Sequence, residues 1–465
     1  MKLARMVGLA LLACSAPSAA QEAPPSWRQP GPVAFVGVNV VPMDSERVLG
    51  NQTVVVRDGR IATIGPAAST SVPAGATRID AAGHYLMPGL AEMHGHVPWQ
   101  NTQFQEDVLF LYVAAGATTV RGMQGHPNHL QMRERVRSGE LIGPHLYLSS
   151  PPFAGMGQNA LTDPDTARAR VRAAKAAGYD HLKVHEGLSP AVYQAIAETA
   201  HAESIPFGGH VSDVVGLHAA LAAGQSTVDH LDNYIDAIQR DGSPAATLQG
   251  LERAQALPLN VDEAKISEVA RATRAAGVAN VPTMALWEVL RGSHSGDQMA
   301  SREELRYMPR GMVNGWVQQV NQIQQGWDPA AAQAEAEVRL RILAGLHDEG
   351  ALILMGTDAP QLFSVPGFSL RRELPLMVEA GMTPFEVLQT GTVNVARFYG
   401  EEDSAGTVQV GRRADLLLLD ANPLEDVSNV GRISGVMVGG RWLDAEALRT
   451  GLEAIAQRAA AAPVN

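Results

Sequence analysis

Two histidines separated by a single glycine follow an apolar run in the stretch Leu86-Met-Pro-Gly-Leu-Ala-Glu-Met-His-Gly-His96. In an extended strand, residues i and i+2 project from the same face, so His94 and His96 are expected to point the same way. Two imidazoles on one face could bind a metal, and Gly95 leaves their approach open. A strand end with two solvated histidines is the alternative, and this pair alone does not decide between them.

The sequence pattern of residues 86–400 predicts the strands and helices that would position these histidines. Short apolar runs alternate with Ala-rich helical stretches, which is typical of repeated βα units and a parallel sheet. Eight candidate strands favour an α/β fold in the form of a (β/α)8 TIM-type barrel. The candidate strands cover 86–96, 117–122, 145–149, 180–185, 205–211, 226–230, 279–284 and 351–358.

Residues of metal-ligand type fall at the C-terminal ends of five of these strands. That end is where barrel enzymes hold their catalytic groups, and so many such residues at one end are hard to obtain by chance. The six candidate metal ligands are His94, His96, Lys183, His210, His230 and Asp358.

The regions on either side of the barrel contain short β-branched runs broken by turns, such as Asp58-Gly59. Residues 33–85 and 401–445 are therefore predicted to form one small β-sandwich, and residues 446–465 a C-terminal helix or tail. The long connection at 285–345 is interpreted as an insertion and a candidate lid. Its tryptophans and methionines could equally be the core of a few extra helices.

Residues 1–20 have the pattern of a signal peptide, with Lys2 and Arg5 before an apolar run and small residues up to Ala20. Residues 21–32 are proline-rich and predict a linker. We therefore expect a secreted or periplasmic protein without a permanent membrane span, because the apolar run is too short. Cys14, the only cysteine, lies in a stretch that resembles a lipoprotein box, so a lipid anchor is the alternative.

Composition narrows the range of partners. Hydrophobic residues make up 46% of the 465-residue chain and charged residues 18%, as in a globular protein. The net charge of −12 argues against a nucleic-acid partner, since phosphate binding needs an excess of Lys and Arg. A small-molecule substrate fits this composition, and the oligomeric state is left open, a homo-oligomer included.

Several stretches resemble the amidohydrolase superfamily, specifically its binuclear members with a carboxylated lysine. Below that level the chain is similar to the secreted, imidazolonepropionase-related and prolidase-like branch. The matching stretches are Met87-Pro-Gly-Leu-Ala-Glu-Met-His-Gly-His96, Leu182-Lys-Val184, Gly209-His-Val211, Val228-Asp-His-Leu231, Gly356-Thr-Asp358, Gly381-Met-Thr-Pro-Phe-Glu-Val387 and Gly411-Arg-Arg-Ala-Asp-Leu-Leu417.

The resemblance implies a role for each candidate ligand. His94, His96 and Asp358 would bind one divalent metal and His210 with His230 the second. Lys183, carbamylated by carbon dioxide, would bridge the two. Four imidazoles and oxygen ligands suit zinc best, with manganese, cobalt and nickel as alternatives. A metal-bridging hydroxide would attack the substrate, and Asp358 would transfer its proton to the leaving group.

Four further residues are candidates for substrate contact. His126, just past the second strand, could polarise the scissile carbonyl, and His185 could touch substrate near the barrel mouth. Tyr234 and Trp99 lie a few residues after candidate ligands and could line the pocket, although a plain packing role accounts for them equally well.

The sequence therefore predicts a metal-dependent hydrolase that cleaves an amide or peptide-like C–N bond of a small substrate, as a dipeptidase or N-acyl amino acid hydrolase does. An esterase or lactonase using the same centre is the chemical alternative. Lys183 counts against a deaminase, since deaminases of the superfamily commonly lack it. A non-catalytic metal-dependent binding protein would require the loss of a ligand, and none is lost.

Overall fold

The structure is a computed structural model that describes residues 31–463. The predicted signal peptide at 1–20, Cys14 and all but the last two residues of the predicted linker at 21–32 lie outside the described residues. Within 31–463, no helix is both long enough and apolar enough to cross a bilayer.

Strands occupy both ends of the chain and alternate with helices in the middle. Their bounds are β1 Val33–Val40, β2 Leu49–Arg57, β3 Arg60–Pro66, β4 Thr77–Asp80, β5 Tyr85–Pro88, β6 Leu90–Gly95, β7 Ala117–Gly122, β8 His145–Leu148, β9 Leu182–Val184, β10 Phe207–Gly209, β11 Thr227–Asp229, β12 Ala279–Val281, β13 Leu416–Leu419, β14 Ile433–Val438 and β15 Arg441–Asp444.

The helices lie between β6 and β13, apart from one at the C-terminus. They are α1 Thr102–Ala114, α2 Pro127–Ser138, α3 Pro164–Ala177, α4 Pro190–Ala202, α5 Leu217–Ala222, α6 Tyr234–Ala237, α7 Gly250–Ala256, α8 Ala264–Ala276, α9 Met284–Arg291, α10 Gly296–Met299, α11 Arg310–Gly326, α12 Pro329–Asp348, α13 Leu370–Glu379, α14 Pro384–Thr390, α15 Val393–Tyr399 and α16 Ala445–Ala461. Short 3-10 helices cover Pro244–Ala246, Pro258–Asn260, Glu303–Tyr307 and Val427–Gly431.

One eight-stranded sheet, called the terminal sheet below, combines both ends of the chain. Its order is β15-β14-β13-β5-β1-β2-β3, and β4 also pairs with β1. The antiparallel pairing of β13 with β5 joins the C-terminal strands to the N-terminal ones. The prediction that the two terminal regions associate is thus confirmed, whereas their arrangement as a two-layered sandwich stays a prediction.

The first predicted barrel strand, 86–96, is divided at Gly89. β5 lies in the terminal sheet, and β6 pairs in parallel with β7. A Cβ atom at Gly89 would lie 2.1 Å from Thr118 Oγ1 and 2.7 Å from Thr118 Cβ. Since Thr118 belongs to β7, the chain can pass this close from one sheet to the other only where residue 89 has no side chain.

Two parallel sheets form the middle of the protein, with orders β6-β7-β8 and β9-β10-β11-β12. Isolated bridges connect them, Ser149 with His181 and Phe153 with Val184. The second to seventh predicted strands are therefore confirmed in position. The prediction of an eighth regular strand at 351–358 is wrong, because this segment forms only an isolated bridge, from Ile353 to Asn280. The same segment also bonds β6, since Met93 N donates to Met355 O at 2.8 Å.

The helices begin where local sequence signals predict. The Asp163 side chain accepts from Thr166 N and caps α3, while that of Ser189 accepts from Val192 N and caps α4. Each capping residue is followed by a proline at the first helical position, where the missing N–H costs nothing.

The insertion at 285–345 contains most of α9, α10, α11 and most of α12. Met299, Met308 and Trp316 are buried and form a second hydrophobic core with residues that follow Asp358, among them Phe363 and Phe368. These insertion residues therefore have the packing role that was the alternative for them. The lid interpretation stays a prediction.

Gly89→Ala tests the requirement at the division between β5 and β6. The new methyl group would collide with Thr118, so we expect the free energy of unfolding to fall by about 1–3 kcal/mol, the usual cost of overpacking. Urea denaturation followed by circular dichroism measures this change. Gly315→Ala is the control, because no atom lies near a Cβ at this position in α11 and alanine favours helix by about 1 kcal/mol. Equal stability of Gly89→Ala and wild type would contradict the steric argument.

Candidate metal centre

The structure brings the six predicted ligand-type residues together where parallel strands end. His94 and Lys183 lie within β6 and β9, and His96, His210 and His230 lie just after β6, β10 and β11. Asp358 follows the segment that bridges β12, and its N–H donates to His94 O at 2.8 Å.

The carboxylate of Asp358 lies between three imidazoles. Its Oδ1 is 2.5 Å from His96 Nε2 and 3.6 Å from His94 Nε2. Its Oδ2 is 3.7 Å from His230 Nε2. The His210 ring faces the His230 ring, with centroids 4.6 Å apart. Asp358 therefore links both sides of the cluster.

Three of the histidines are held through their other ring nitrogen. His94 Nδ1 lies 2.7 Å from Asp229 Oδ2, and His230 Nδ1 lies 2.8 Å from Thr283 Oγ1. His210 Nδ1 lies 2.9 Å from Asp232 Oδ2. Such partners on Nδ1 fix ring orientation and leave Nε2 available as a ligand, as is usual in metal sites.

Asp229 and Asp232 were missed in the sequence, although they flank His230 in Val228-Asp-His-Leu-Asp232. A carboxylate beside a candidate ligand was the signal that could have identified them. Asp229 is itself held by Arg121, whose Nη2 lies 3.0 Å from its Oδ2. Arg121 comes from β7 and also donates through Nε to Met93 O at 2.6 Å, so it fixes Asp229 relative to β6.

Burial controls the protonation states of the cluster. Desolvation lowers the pKa of His210 to about 3 and of His230 to about 4, and it holds the pKa of His94 well below its usual value. Burial alone would raise the pKa of Asp358, but the neighbouring His94 and His96 outweigh it and lower that pKa far below the ordinary range. Neutral imidazoles beside an ionised carboxylate are the forms that bind metal ions.

Lys183 reaches the same cluster from β9. Its side chain is 2% exposed, and Nζ lies 3.2 Å from His94 Nε2. Burial lowers the pKa of this amine, which increases its neutral fraction. Gly209 makes room beside it, because a Cβ there would lie 3.0 Å from Lys183 Cδ and 2.6 Å from Val184 O.

Three of the six candidate ligands have a spacing that fits a divalent metal ion. Ligand atoms of His94, His230 and Asp358 all lie within 4.8 Å of one another. Two ligand atoms of a tetrahedral zinc are about 3.4 Å apart, close to the 3.6 and 3.7 Å that separate Asp358 from His94 and His230. His230 Nε2 is buried without a hydrogen-bond partner among the described residues, and an ion would satisfy it.

Several residues of the centre adopt left-handed backbone conformations that non-glycine residues rarely occupy. The φ angles are 62° at His230, 63° at Asp358 and 49° at Thr283. Such conformations cost about 1–3 kcal/mol each and persist only where the surroundings impose them. The surrounding contacts must therefore hold two candidate ligands and one supporting residue against their local preference.

Two buried glutamates, also missed in the sequence, supply such contacts. Glu92 accepts from His94 N at 3.0 Å and from Thr357 N at 2.8 Å, which ties β6 to the residue before Asp358. Glu373 of α13 accepts from Met284 N at 2.9 Å, next to Thr283. Burial raises the pKa of each glutamate to about 8, although the backbone N–H groups oppose this.

The four candidate substrate residues have different surroundings. Trp99 and His126 are half-buried and stacked, with centroids 5.5 Å apart and planes 9° apart. His185 is half-buried, with its ring 4.4 Å from that of His210, and burial lowers its pKa to about 3. The interpretation of Tyr234 as a pocket residue is not supported, because Tyr234 is fully buried and its hydroxyl contacts Thr273 and Asn280 at 2.8 Å.

A separate cleft of about 630 Å³ lies between the terminal sheet and the α2–β8 region, and none of the six candidate ligands lines it. Two of its arginines are already paired, Arg133 with Asp180 and Arg413 with Asp415. We therefore locate the candidate functional site at the cluster of ligand-type residues and not in this cleft.

Comparison with known proteins agrees with this geometry. The model of the amidohydrolase family matches residues 85–443, which is most of the chain. The chain is 23% identical to ochratoxinase of Aspergillus niger over 460 residues, covering 85% of this chain and 82% of that protein.

Solved structures share the fold at low sequence identity. Bottromycin amidohydrolase superposes with a TM-score of 0.71 and 23% identity, over 93% of this chain and 91% of the other. A Xaa-Pro dipeptidase with methionine bound in its active site gives 0.63 and 18%, over 89% of this chain and 100% of that one. The match of the family model over most of the chain decides the assignment: this chain belongs to the amidohydrolase family and is a hydrolase of the amidohydrolase type.

Proposed function

We propose that this chain hydrolyses an amide or peptide-like C–N bond of a small substrate, with two divalent metal ions as cofactors. The observation that carries the proposal is the position of the Asp358 carboxylate between His94, His96 and His230. The buried, unpartnered Nε2 of His230 supports it further. A dipeptidase or an N-acyl amino acid hydrolase is the form we favour.

We infer that the parallel strands close into a (β/α)8 barrel around this centre. The supporting contacts are the bridges from β8 to β9 and from β12 to Ile353, together with the hydrogen bond from Met93 N to Met355 O. In the proposed ring, these contacts would join β6 through β12 and the 351–358 segment. A closed ring would put the ends of all its members around a single opening.

In this proposal, His94, His96 and Asp358 would hold one metal, and His210 and His230 would hold the other. Lys183 would serve both as a carbamate, formed when its neutral amine adds to carbon dioxide and loses a proton. The short distance from Nζ to His94 Nε2 and the lowered pKa of the amine support this assignment. Zinc suits the imidazole-rich donor set best.

When bound, divalent metals supply Lewis-acid polarisation of the scissile carbonyl and lower the pKa of water towards neutrality. Asp358 would accept a proton from the attacking water and deliver it to the leaving nitrogen. His126 and Trp99 stack on each other, and we propose that this pair and His185 contact the substrate. His126 would do so at the carbonyl oxygen.

The names of similar proteins favour a C–N bond, since bottromycin amidohydrolase and the Xaa-Pro dipeptidase are named for amide and peptide hydrolysis. Ester or lactone hydrolysis is the second candidate, because a site that attacks an amide carbonyl can attack an ester carbonyl as well. A panel of dipeptides, N-acyl amino acids, esters and lactones separates the two. Faster hydrolysis of every ester and lactone than of any amide would contradict the favoured form.

Metal removal tests the cofactor. We expect protein purified without chelators to contain about two divalent ions per chain, because six ligand-type residues exceed the four positions of a tetrahedral zinc. Dialysis against a chelator should abolish hydrolysis, and added Zn²⁺ should restore it. Elemental analysis measures the stoichiometry. Full activity with a single metal per chain would contradict the binuclear assignment.

Lys183→Ala tests the bridging role. The variant should lose most of its activity and one of the two metals, since the bridge disappears while His94, His96 and Asp358 remain. Short carboxylic acids added to it should restore part of the rate by replacing the carbamate. Lys175→Ala is the control, because Lys175 is exposed, lies outside the six candidate ligands and donates to Ser204 O. Two metals and wild-type activity in Lys183→Ala would leave Lys183 as a core residue only.

Asp358→Asn separates coordination from proton transfer. The amide keeps the shape and one oxygen of the carboxylate but cannot carry the proton, so the rate should fall by about 10²–10⁴ while much of the metal is retained. Steady-state kinetics on an amide and on an ester with a good leaving group provide the comparison, because the departing group of such an ester needs no proton. An equal loss on both substrates would mean that Asp358 acts only as a ligand.

A further inference from the structure

The backbone of His230 is held by the insertion. Its carbonyl oxygen accepts two hydrogen bonds, from Trp287 Nε1 at 3.0 Å and from Arg339 Nη1 at 2.8 Å. Trp287 belongs to α9 and Arg339 to α12, and both lie within 285–345. Because His230 has a left-handed backbone, these two bonds fix the conformation that directs its imidazole.

Arg339 has little freedom to move. Its side chain is buried, and Nε and Nη2 donate to Glu335 Oε1 at 3.1 and 2.7 Å. Its guanidinium carbon lies 3.2 Å from the centroid of the Trp287 ring. A planar guanidinium held on one face by an indole and along one edge by a carboxylate presents its remaining N–H in a fixed direction.

We propose that Arg339 is a positioning residue that holds His230 in the orientation needed to bind one metal ion. It acts by a direct hydrogen bond to the carbonyl oxygen of His230. This inference rests on the two-metal centre of the proposed function. It gives the insertion a role in metal binding in addition to its packing.

The competing explanation is that Arg339 only packs the insertion, and Arg291 provides a matched test of it. Arg291 donates to the other oxygen of the same carboxylate, Glu335 Oε2, at 2.6 Å. It also stacks on a tryptophan, with its guanidinium carbon 3.5 Å from the Trp327 centroid. Its remaining hydrogen bond goes to Leu290 O and not to a candidate metal ligand.

The experiment is a Co²⁺ titration of metal-free full-length protein, followed by the visible absorption of the bound ion. Wild type should bind two Co²⁺ ions. Arg339→Met should bind one of them about 10–100-fold more weakly, the usual cost of removing a partner of a metal ligand. Arg291→Met should titrate like wild type. Arg339→Lys keeps the charge and should recover part of the affinity.

Trp287→Phe serves as a second variant, and it decides the test should Arg339→Met fail to fold. It retains a ring against Arg339 but removes the indole N–H, so we expect a smaller weakening of the same site. Wild-type Co²⁺ affinity in Arg339→Met would overturn the inference. If Trp287→Phe is the only one of the two that folds, wild-type affinity in that variant would overturn it. An equal loss in Arg291→Met and Arg339→Met would do the same. Wild type that binds no Co²⁺ would overturn the metal centre and, with it, this inference.

Discussion

The centre depends on keeping one carboxylate buried among imidazoles. Asp358 is 5% exposed, and the free energy cost of burying its charge is offset by His94 and His96. Three of the imidazoles must in turn point their Nε2 atoms inward. Asp229, Asp232 and Thr283 favour this orientation by contacting the Nδ1 atom of each ring. Three of the candidate ligands therefore depend on a second residue, and those residues come from several different elements.

The ligand-type residues could be predicted from the sequence, but the residues that hold them mostly could not. His94, His210 and His230 lie at the ends of predicted strands, so their position relative to those strands identifies them. Glu92 and Glu373 are ordinary acidic residues in sequence. Their role in holding the centre arises because folding brings them against backbone N–H groups of segments distant in sequence.

Two predictions failed for identifiable physical reasons. Tyr234 was selected because it follows His230 closely, but the backbone is left-handed at His230, Leu231 and Asn233, and the side chain turns into the core between α8 and β12. The eighth strand was predicted from its apolar run. Only Ile353 forms a bridge there, because the backbone then turns towards β6 to bring Asp358 beside His94.

The pairing of β13 with β5 has a consequence for biosynthesis. β5 leaves the ribosome long before β13, and at about 5–20 residues per second the delay is on the order of tens of seconds. During that interval β5 has an unpaired edge, which is the kind of surface that promotes aggregation of nascent chains. Folding of the terminal sheet must therefore wait until β13 has been synthesised. A chain truncated before residue 416 would keep the six candidate ligands but lack the strand that covers this edge.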